Sequence, residues 1–240
     1  MNPSLLTVRE DRLAVIGDIH GRRDLLVRLL HQIGHVPILV AGDVCDRGPD
    51  TRGVLDLLVV HRARGVLGNH DEWFVQWACD EGFDRIALAP TMGGDATLRS
   101  YGVVGRSELE VASQSWRVSD SHRKWLRGLA WAADIEVDGV PFWVVHAGVA
   151  ESVAWQLLDV PRGPRVVPAL AEQRSSSLLW SRADPSESML LDRPVIMGHR
   201  IVPEPLDLGH VLAIDTGCGT VPDGRLTALL LPERRFVSVP

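Results

Sequence analysis

Lysine is almost absent from this chain: Lys124 is the single one, and arginine supplies the rest of the 25 basic residues. Against 31 acidic residues the formal net charge is −6. That balance lacks the clustered cations a phosphate backbone demands, so nucleic acid is not expected as the main partner. Cysteine is scarce. Cys45, Cys79 and Cys218 are odd in number and carry no metal-ligand spacing, which argues against a disulfide framework and for a reduced, cytoplasmic protein. Long apolar runs are missing too. None approaches the ~20 residues needed to span a bilayer, so no membrane partner is expected. The opening MNPSLLTVREDRLAVIGD breaks its short apolar stretches with charges and shows no cleavable signal pattern. Internal repeats, low-complexity tracts and heptads are likewise absent, which excludes solenoids and coiled coils.

What is present suits a folded domain. The length of 240 residues fits a single domain over 1–240, and 45% hydrophobic against 23% charged residues can bury a real core. Short apolar runs read as buried strands, and each stops at a polar cluster. Leu13–Gly17 stops at Asp18-Ile19-His20-Gly21, Pro37–Gly42 at Asp43, and Gly65–Gly68 at Asn69-His70-Asp71. Pro141–Val145 stops at His146, Pro194–Gly198 at His199, and His210–Ile214 at Asp215. Helical patterns follow the first three, over about 22–32, 50–61 and 72–79, which indicates parallel βαβ units. The stretch 206–240 reads as successive strands with a turn near Pro222-Asp223-Gly224. A mixed sheet or a two-sheet sandwich covered by helices follows. Residues 83–131 are mostly helical in pattern and form a cap. Residues 152–188, rich in Pro and Ser, read as a long loop with a helix in it.

Ligands of open α/β sheets bind beyond the carboxyl ends of the strands. So many carboxylates and imidazoles converging there would repel or suffer desolvation, and a cation is the natural compensation. An extended Asp18–His20 segment would point both side chains the same way. With Asp43 they can hold one divalent ion. Asn69, His146 and His199 can hold a second, and Asp43 can bridge the two. Mixed nitrogen and oxygen ligands suit manganese, iron, zinc or cobalt better than calcium. Two such ions share a water, lower its pKa and neutralise phosphoryl oxygens, which calls for in-line attack on phosphorus. Arg47 can grip two phosphate oxygens. His70 follows a ligand and is placed to protonate the leaving oxygen, with Asp46 fixing its tautomer. Several features read as structural: Cys45 as a small buried thiol, Asp215 as a strand-end carboxylate, and Trp73, Trp77, Trp125 and Trp131 as cap packing. Arg22-Arg23 read equally as a solvated helix face or as part of the substrate mouth.

Gly17-Asp18-Ile19-His20-Gly21, Gly42-Asp43-Val44-Cys45-Asp46-Arg47-Gly48 and Gly68-Asn69-His70-Asp71, in that order, resemble the phosphoprotein phosphatases of the calcineurin-like metallophosphoesterase superfamily. The resemblance runs on through His146-Ala147-Gly148, Gly198-His199 and Ile214-Asp215-Thr216-Gly217. It implies an α/β (α+β) four-layer αββα sandwich with a dinuclear metal centre, commonly supplied with manganese. Asp18, His20 and Asp43 would bind the first ion, and Asp43, Asn69, His146 and His199 the second. Arg47 would hold substrate phosphate, and His70 with Asp46 would form the acid pair. Leu179-Trp180-Ser181-Arg182 looks like the segment that carries a second phosphate-binding arginine, Arg182. Bacterial serine/threonine protein phosphatases share Asp46-Arg47-Gly48, Gly93-Gly94-Asp95-Ala96-Thr97-Leu98 and Trp180-Ser181-Arg182. Symmetrical diadenosine tetraphosphatases share the Asp215-Thr216-Gly217-Cys218 ending and an Asp at the place of Asp71, where the phosphatases usually carry Glu. The resemblance therefore implies a serine/threonine protein phosphatase that hydrolyses phosphomonoesters by attack of a dimetal-held hydroxide on a phosphoprotein or small phosphoester. The alternative is a diadenosine tetraphosphate hydrolase yielding ADP.

Overall fold

The structure is a computed structural model that describes residues 5–105, 107–148, 178–182 and 193–240. Eleven strands lie in two mixed sheets among the described residues. The six-stranded sheet runs β1 (Leu5–Glu10), β5 (Ala132–Val137), β6 (Val140–Val145), β7 (Val195–Met197), β9 (Val211–Ala213) and β8 (Leu206–Asp207). The five-stranded sheet runs β11 (Arg235–Val239), β10 (Leu226–Leu231), β2 (Leu13–Ile16), β3 (Ile38–Val40) and β4 (Arg64–Gly65).

Alternation along each strand assigns every side chain to one of two cores. Leu13, Val15, Leu39, Leu229 and Leu231 of one sheet meet Ile135, Val137, Phe142, Val144, Ile196 and Leu212 of the other, a dry layer between the sheets. Their neighbours Ala14, Ile16, Ile38 and Val40 face outward onto Leu25, Leu26 and Leu29 of α1 (Arg23–Ile33) and Val54, Leu55 and Leu58 of α2 (Thr51–Val60). Burying each such aliphatic side chain contributes about 1.5–3 kcal/mol. Helix α2 starts at Asp50, whose carboxylate accepts the Gly53 N–H at 2.8 Å. The outward residues of the other sheet, Trp143, Val145, Val195, Met197, Val211 and Ala213, are also buried. The loop expected over 152–188 lies outside the described residues except for 178–182.

The expected cap over 83–131 contains α4 (Gly94–Ser100), α5 (Glu108–Ala112) and α6 (Asp120–Arg127), with two short 3₁₀ turns. It packs on α2 and α3 (Asn69–Ala78) through Trp73, Phe74, Trp77 and Tyr101, whose rings lie 5.7–6.4 Å apart. Two strands escaped the sequence reading. In β1, Arg9 and Glu10 hide the alternation. In β5, a buried Asp134 breaks the apolar run and is paired with Arg193 at 2.9 Å and Arg9 at 3.3 Å.

Strands β2 and β3 are parallel, as are β6, β7 and β9 in the other sheet. Every polar cluster singled out at a strand end thus emerges at the carboxyl edge of the sandwich.

Candidate metal centre and acid pair

Asp18, His20, Asp43, Asn69, His70 and His146 are all buried at that edge, with His199 half-buried beside them. Two groups bring donor atoms within 4.8 Å of one another: His20, Asp43 and His70, and Asp43, His146 and His199. Asp43 belongs to both, as a bridging carboxylate must. Its Oδ2 lies 3.7 Å from His20 Nε2 and 3.4 Å from His146 Nε2.

The imidazole tautomers are set from behind. His20 Nδ1 faces the Cys45 carbonyl at 2.8 Å, and His146 Nδ1 faces the Ala41 carbonyl at 2.9 Å. A carbonyl only accepts, so both Nδ1 atoms carry the proton and both Nε2 lone pairs point inward, the arrangement of a ligating histidine. Asn69 Oδ1 lies 3.0 Å from His146 Nε2. Two acceptors at that distance repel unless a cation lies between them or the ring takes a second proton. Burial opposes that proton, yet the Asp43 and Asp18 carboxylates outweigh it and push His146 up to about 10. The donor set therefore fits divalent ions, for which a proton is the poor substitute.

The carboxylates repeat the same demand. Burial and the neighbouring Asp215 hold Asp18 well above the usual carboxylate range. Burial raises Asp215 to about 6, helped by Asp43 and opposed by its hydrogen bond from Gly217 N–H. Burial also works to raise Asp43, but the surrounding imidazoles of His146 and His70 win and hold it well below. Burial drives His20 down to about 3 and His199 to about 4. Their rings stay neutral and able to donate a lone pair.

The structure alters one detail of the expected ligand grouping. The chain is not extended through Asp18–His20, because His20 takes φ 44°. Asp18 turns instead to the His199 N–H, which reaches its two oxygens at 3.1 and 3.2 Å. Asp18 lines the same cavity as Asp43, but His70 takes its place in the tight group around His20. Two glycines leave room for the carboxylates. A Cβ on Gly68 would sit 2.1 Å from Asp43 Oδ1, and one on Gly198 would sit 2.2 Å from Asp18 Oδ1.

The structure brings His70 and Asp46 together. His70 Nδ1 lies 2.8 Å from Asp46 Oδ2, so the buried carboxylate accepts the Nδ1–H hydrogen bond and leaves Nε2 facing the cavity. Arg47 reaches from one NH2 group to His70 Nε2 at 2.9 Å and from the other to His20 Nε2 at 2.6 Å. Its guanidinium thus spans the space between the acid and the metal group. Three supports escaped the sequence reading. Trp73, read as cap packing, donates its indole N–H to Asp46 Oδ2 at 3.0 Å. Thr97 donates to Asp46 Oδ1 at 2.9 Å and accepts the Asp46 N–H at 2.8 Å. Asp71 accepts the backbone N–H groups of Asp43, Val44 and Gly68 at 2.8, 2.9 and 3.0 Å, so the side chain one methylene shorter still ties the two motifs together. The only available signal for Thr97 was the Gly93–Leu98 motif around it. Cys45 is a buried thiol whose pKa burial and Asp46 push upward, in keeping with its structural reading. Arg22 pairs with Asp24 at 2.7 Å and Arg23 lies 3.9 Å from Asp50, on a depression that shares Arg47 with the cavity.

The cavity in front of these groups holds about 370 Å³. Arg182 lines it as expected, beside Trp180, Met92, Arg200 and Thr220.

A two-sheet sandwich that gathers histidines, carboxylates and an asparagine at the carboxyl ends of parallel strands is the frame of a dimetal phosphoesterase. The model of the calcineurin-like phosphoesterases matches residues 11–205, and the chain belongs to that family of metal-dependent hydrolases. It is 28% identical over 243 residues to a bis(5'-nucleosyl)-tetraphosphatase PrpE of the asymmetrical type from Geobacillus thermodenitrificans, covering 94% of this chain and 93% of that one. Over a shorter span of 85 residues it is 39% identical to serine/threonine-protein phosphatase 2 of Escherichia coli, covering 34% of this chain and 38% of that one. In fold it is similar to a solved structure described as a candidate diadenosine tetraphosphatase, with a TM-score of 0.64 at 20% identity, covering 99% and 98% of the two chains. No helix among the described residues is long and apolar enough to cross a membrane.

Proposed function

We propose that this protein hydrolyses phosphomonoesters with alkoxide leaving groups, as a serine/threonine protein phosphatase does. The observation that carries the reading is the buried Asp46–His70 pair at 2.8 Å, with Trp73 and Thr97 holding the carboxylate. An alkoxide is a poor leaving group and needs a proton as the bond to phosphorus breaks. A phosphate released from an anhydride departs readily without one. A fixed acid facing the cavity is therefore machinery for an ester.

In this reading Asp18, His20, Asp43, Asn69, His146 and His199 hold two divalent ions. Manganese is the first to test, because the ligands mix nitrogen and oxygen. Bound there, the ions supply an activated water and offset phosphoryl charge. The chain's own groups do the rest. Arg47 and Arg182 fix the phosphate in the cavity, since a guanidinium matches two phosphoryl oxygens at once. Asp46 holds the Nδ1 proton of His70; when the ring has taken a second proton from solvent on Nε2, that proton passes to the leaving oxygen and leaves the neutral Nδ1–H ring.

A second reading is hydrolysis of dinucleoside tetraphosphates. It is favoured by the full-length similarity to a protein named for that activity. Comparing kcat/KM for a phosphoserine peptide and for diadenosine tetraphosphate on manganese-loaded protein separates the two. A faster peptide supports the proposal. Faster cleavage of the dinucleotide overturns it.

A further inference from the structure

Three guanidinium groups line the catalytic cavity: Arg47, Arg182 and Arg200. Arg47 is engaged with His20, His70 and Thr220. Arg200, like Arg182, has no ion pair among the described residues. It is half-buried, and among the described residues no carboxylate or carbonyl takes up its side chain. Eight other arginines are tightly paired. Arg9, Arg12, Arg22, Arg64, Arg123, Arg193, Arg225 and Arg234 each meet an acidic partner within 3.3 Å. In a chain with 31 acidic residues, a partly desolvated guanidinium left unpaired on a cavity wall is a site for an anion supplied from outside.

Its backbone is fixed. Arg200 follows directly on His199, its N–H reaches the Gly198 carbonyl at 2.6 Å, and Val202 N–H binds the Asp215 carbonyl at 2.9 Å. The charge is thus presented from a hydrogen-bonded bend three residues beyond β7. The cavity is also larger than one phosphate requires. Its 370 Å³ is roughly a dozen waters at their liquid volume. The phosphate to be cleaved already has Arg47 and Arg182, so a third guanidinium in that space faces a different group of the substrate.

We propose that Arg200 binds a second anionic group of the substrate, a phosphate or carboxylate carried next to the phosphate being cleaved, and so selects doubly anionic phosphoesters. The inference rests on the phosphoesterase reading and adds the substrate class. A phosphopeptide with an acidic residue beside the phosphorylated one offers that chemistry, and so does a nucleotide with two phosphates.

The test compares wild type with Arg200→Gln, both loaded with manganese. The probes are p-nitrophenyl phosphate, two phosphoserine peptides that differ by Glu or Gln beside the phosphoserine, and AMP and ADP as competitive inhibitors. Wild type should prefer the Glu peptide over the Gln peptide, or ADP over AMP, by about tenfold, the scale of one charge-assisted hydrogen bond. Which pair shows the preference identifies the source of the anion. Arg200→Gln should abolish that preference and leave kcat/KM for p-nitrophenyl phosphate within about twofold. Arg182→Gln should instead slow every substrate alike. A preference that survives Arg200→Gln overturns the assignment, as does an equal loss on p-nitrophenyl phosphate or the absence of any preference in wild type. If wild type hydrolyses no phosphoester, the catalytic proposal falls on its own. Calorimetric binding of ADP against AMP then still reads Arg200.

Discussion

Asp46→Asn removes one charge and almost nothing else. Asparagine has the volume of aspartate. With its amide oxygen toward His70 and Trp73 it still accepts from His70 Nδ1 and the indole N–H, which lie 2.8 and 3.0 Å from the carboxylate. Its amide nitrogen then faces the Thr97 hydroxyl, 2.9 Å away, which can accept as well as donate. Fold, metal content and the orientation of His70 should persist. What goes is the negative charge that steadies an imidazolium. A hydrogen bond to a charged group contributes about 1.5–3 kcal/mol against about 0.5–1.5 for a neutral one, so the acid loses on the order of 1–1.5 kcal/mol, or about tenfold in rate. Where the leaving group cannot depart without a proton, the loss should grow toward the ~10²–10⁴-fold that general acid catalysis contributes. The assay is kcat over a series of aryl and alkyl phosphates, plotted against leaving-group basicity. Asp46→Asn should cost about tenfold or less for p-nitrophenyl phosphate and far more for a phosphoserine peptide, steepening the slope. Equal losses across the series would refute the acid role of the Asp46–His70 pair. So would an unchanged rate on the alkyl ester.

Two further outcomes follow from the buried carboxylates. Asp71→Ala strips partners from three backbone N–H groups, of Asp43, Val44 and Gly68. At about 1–3 kcal/mol for each orphaned donor, chemical denaturation should show a loss of more than about 3 kcal/mol, and a loss below about 1 kcal/mol would sink the account. Asp215→Asn should act in the opposite direction in chelated protein. The Asp215 carboxyl is raised from 3.8 to about 6, first by burial and then by Asp43, so the folded chain binds that proton more tightly than the unfolded chain does. Its contribution to stability is therefore present below about pH 4 and lost as pH rises through 6. At pH 7 the variant should be more stable than wild type by roughly 1–3 kcal/mol, and the gain should vanish toward pH 4. A variant less stable than wild type at pH 7 would refute this.

The site was legible in the sequence where apolar runs end abruptly in Asp, His or Asn, because that contrast survives without coordinates. Six strand ends were placed this way. The start of α3 was not. The periodic pattern begins near residue 72, whereas the helix begins at Asn69. Asparagine, histidine and aspartate are weak helix formers, and their first-turn role shows only when Asp71 returns to cap Gly68 N–H. Trp73 and Thr97 reach Asp46 from 27 and 51 residues away, and neither residue type announces a partner at that distance. Arg200 carries no motif. Its meaning lies in the lack of an ion pair among the described residues, which is a property of packing and not of spacing.

Five residues of the site that are not glycine sit at positive φ: His20 at 44°, Asp43 at 52°, Asp46 at 71°, Arg47 at 63° and His199 at 60°. Each such conformation costs on the order of 1–3 kcal/mol and persists only where the surroundings over-determine it. The pinning groups can be named. Asp43 is held by the Asp71 carboxylate on its N–H, by the N–H groups of Ile19 and His20 on its carbonyl, and by the His70 N–H on its side chain. Asp46 is held by Thr97 on its N–H, and Arg47 by the Gly93 carbonyl on its own. Thr97 and Gly93 both belong to the segment that reads as a cap in the sequence. That segment is therefore a structural part of the candidate site, because Asp46 and Arg47 keep their strained backbone only while it is docked. A change that loosens α4 from α2 should then weaken the proposed acid function before it weakens the candidate metal group, whose Asp43, His146 and His199 follow strands of the two sheets.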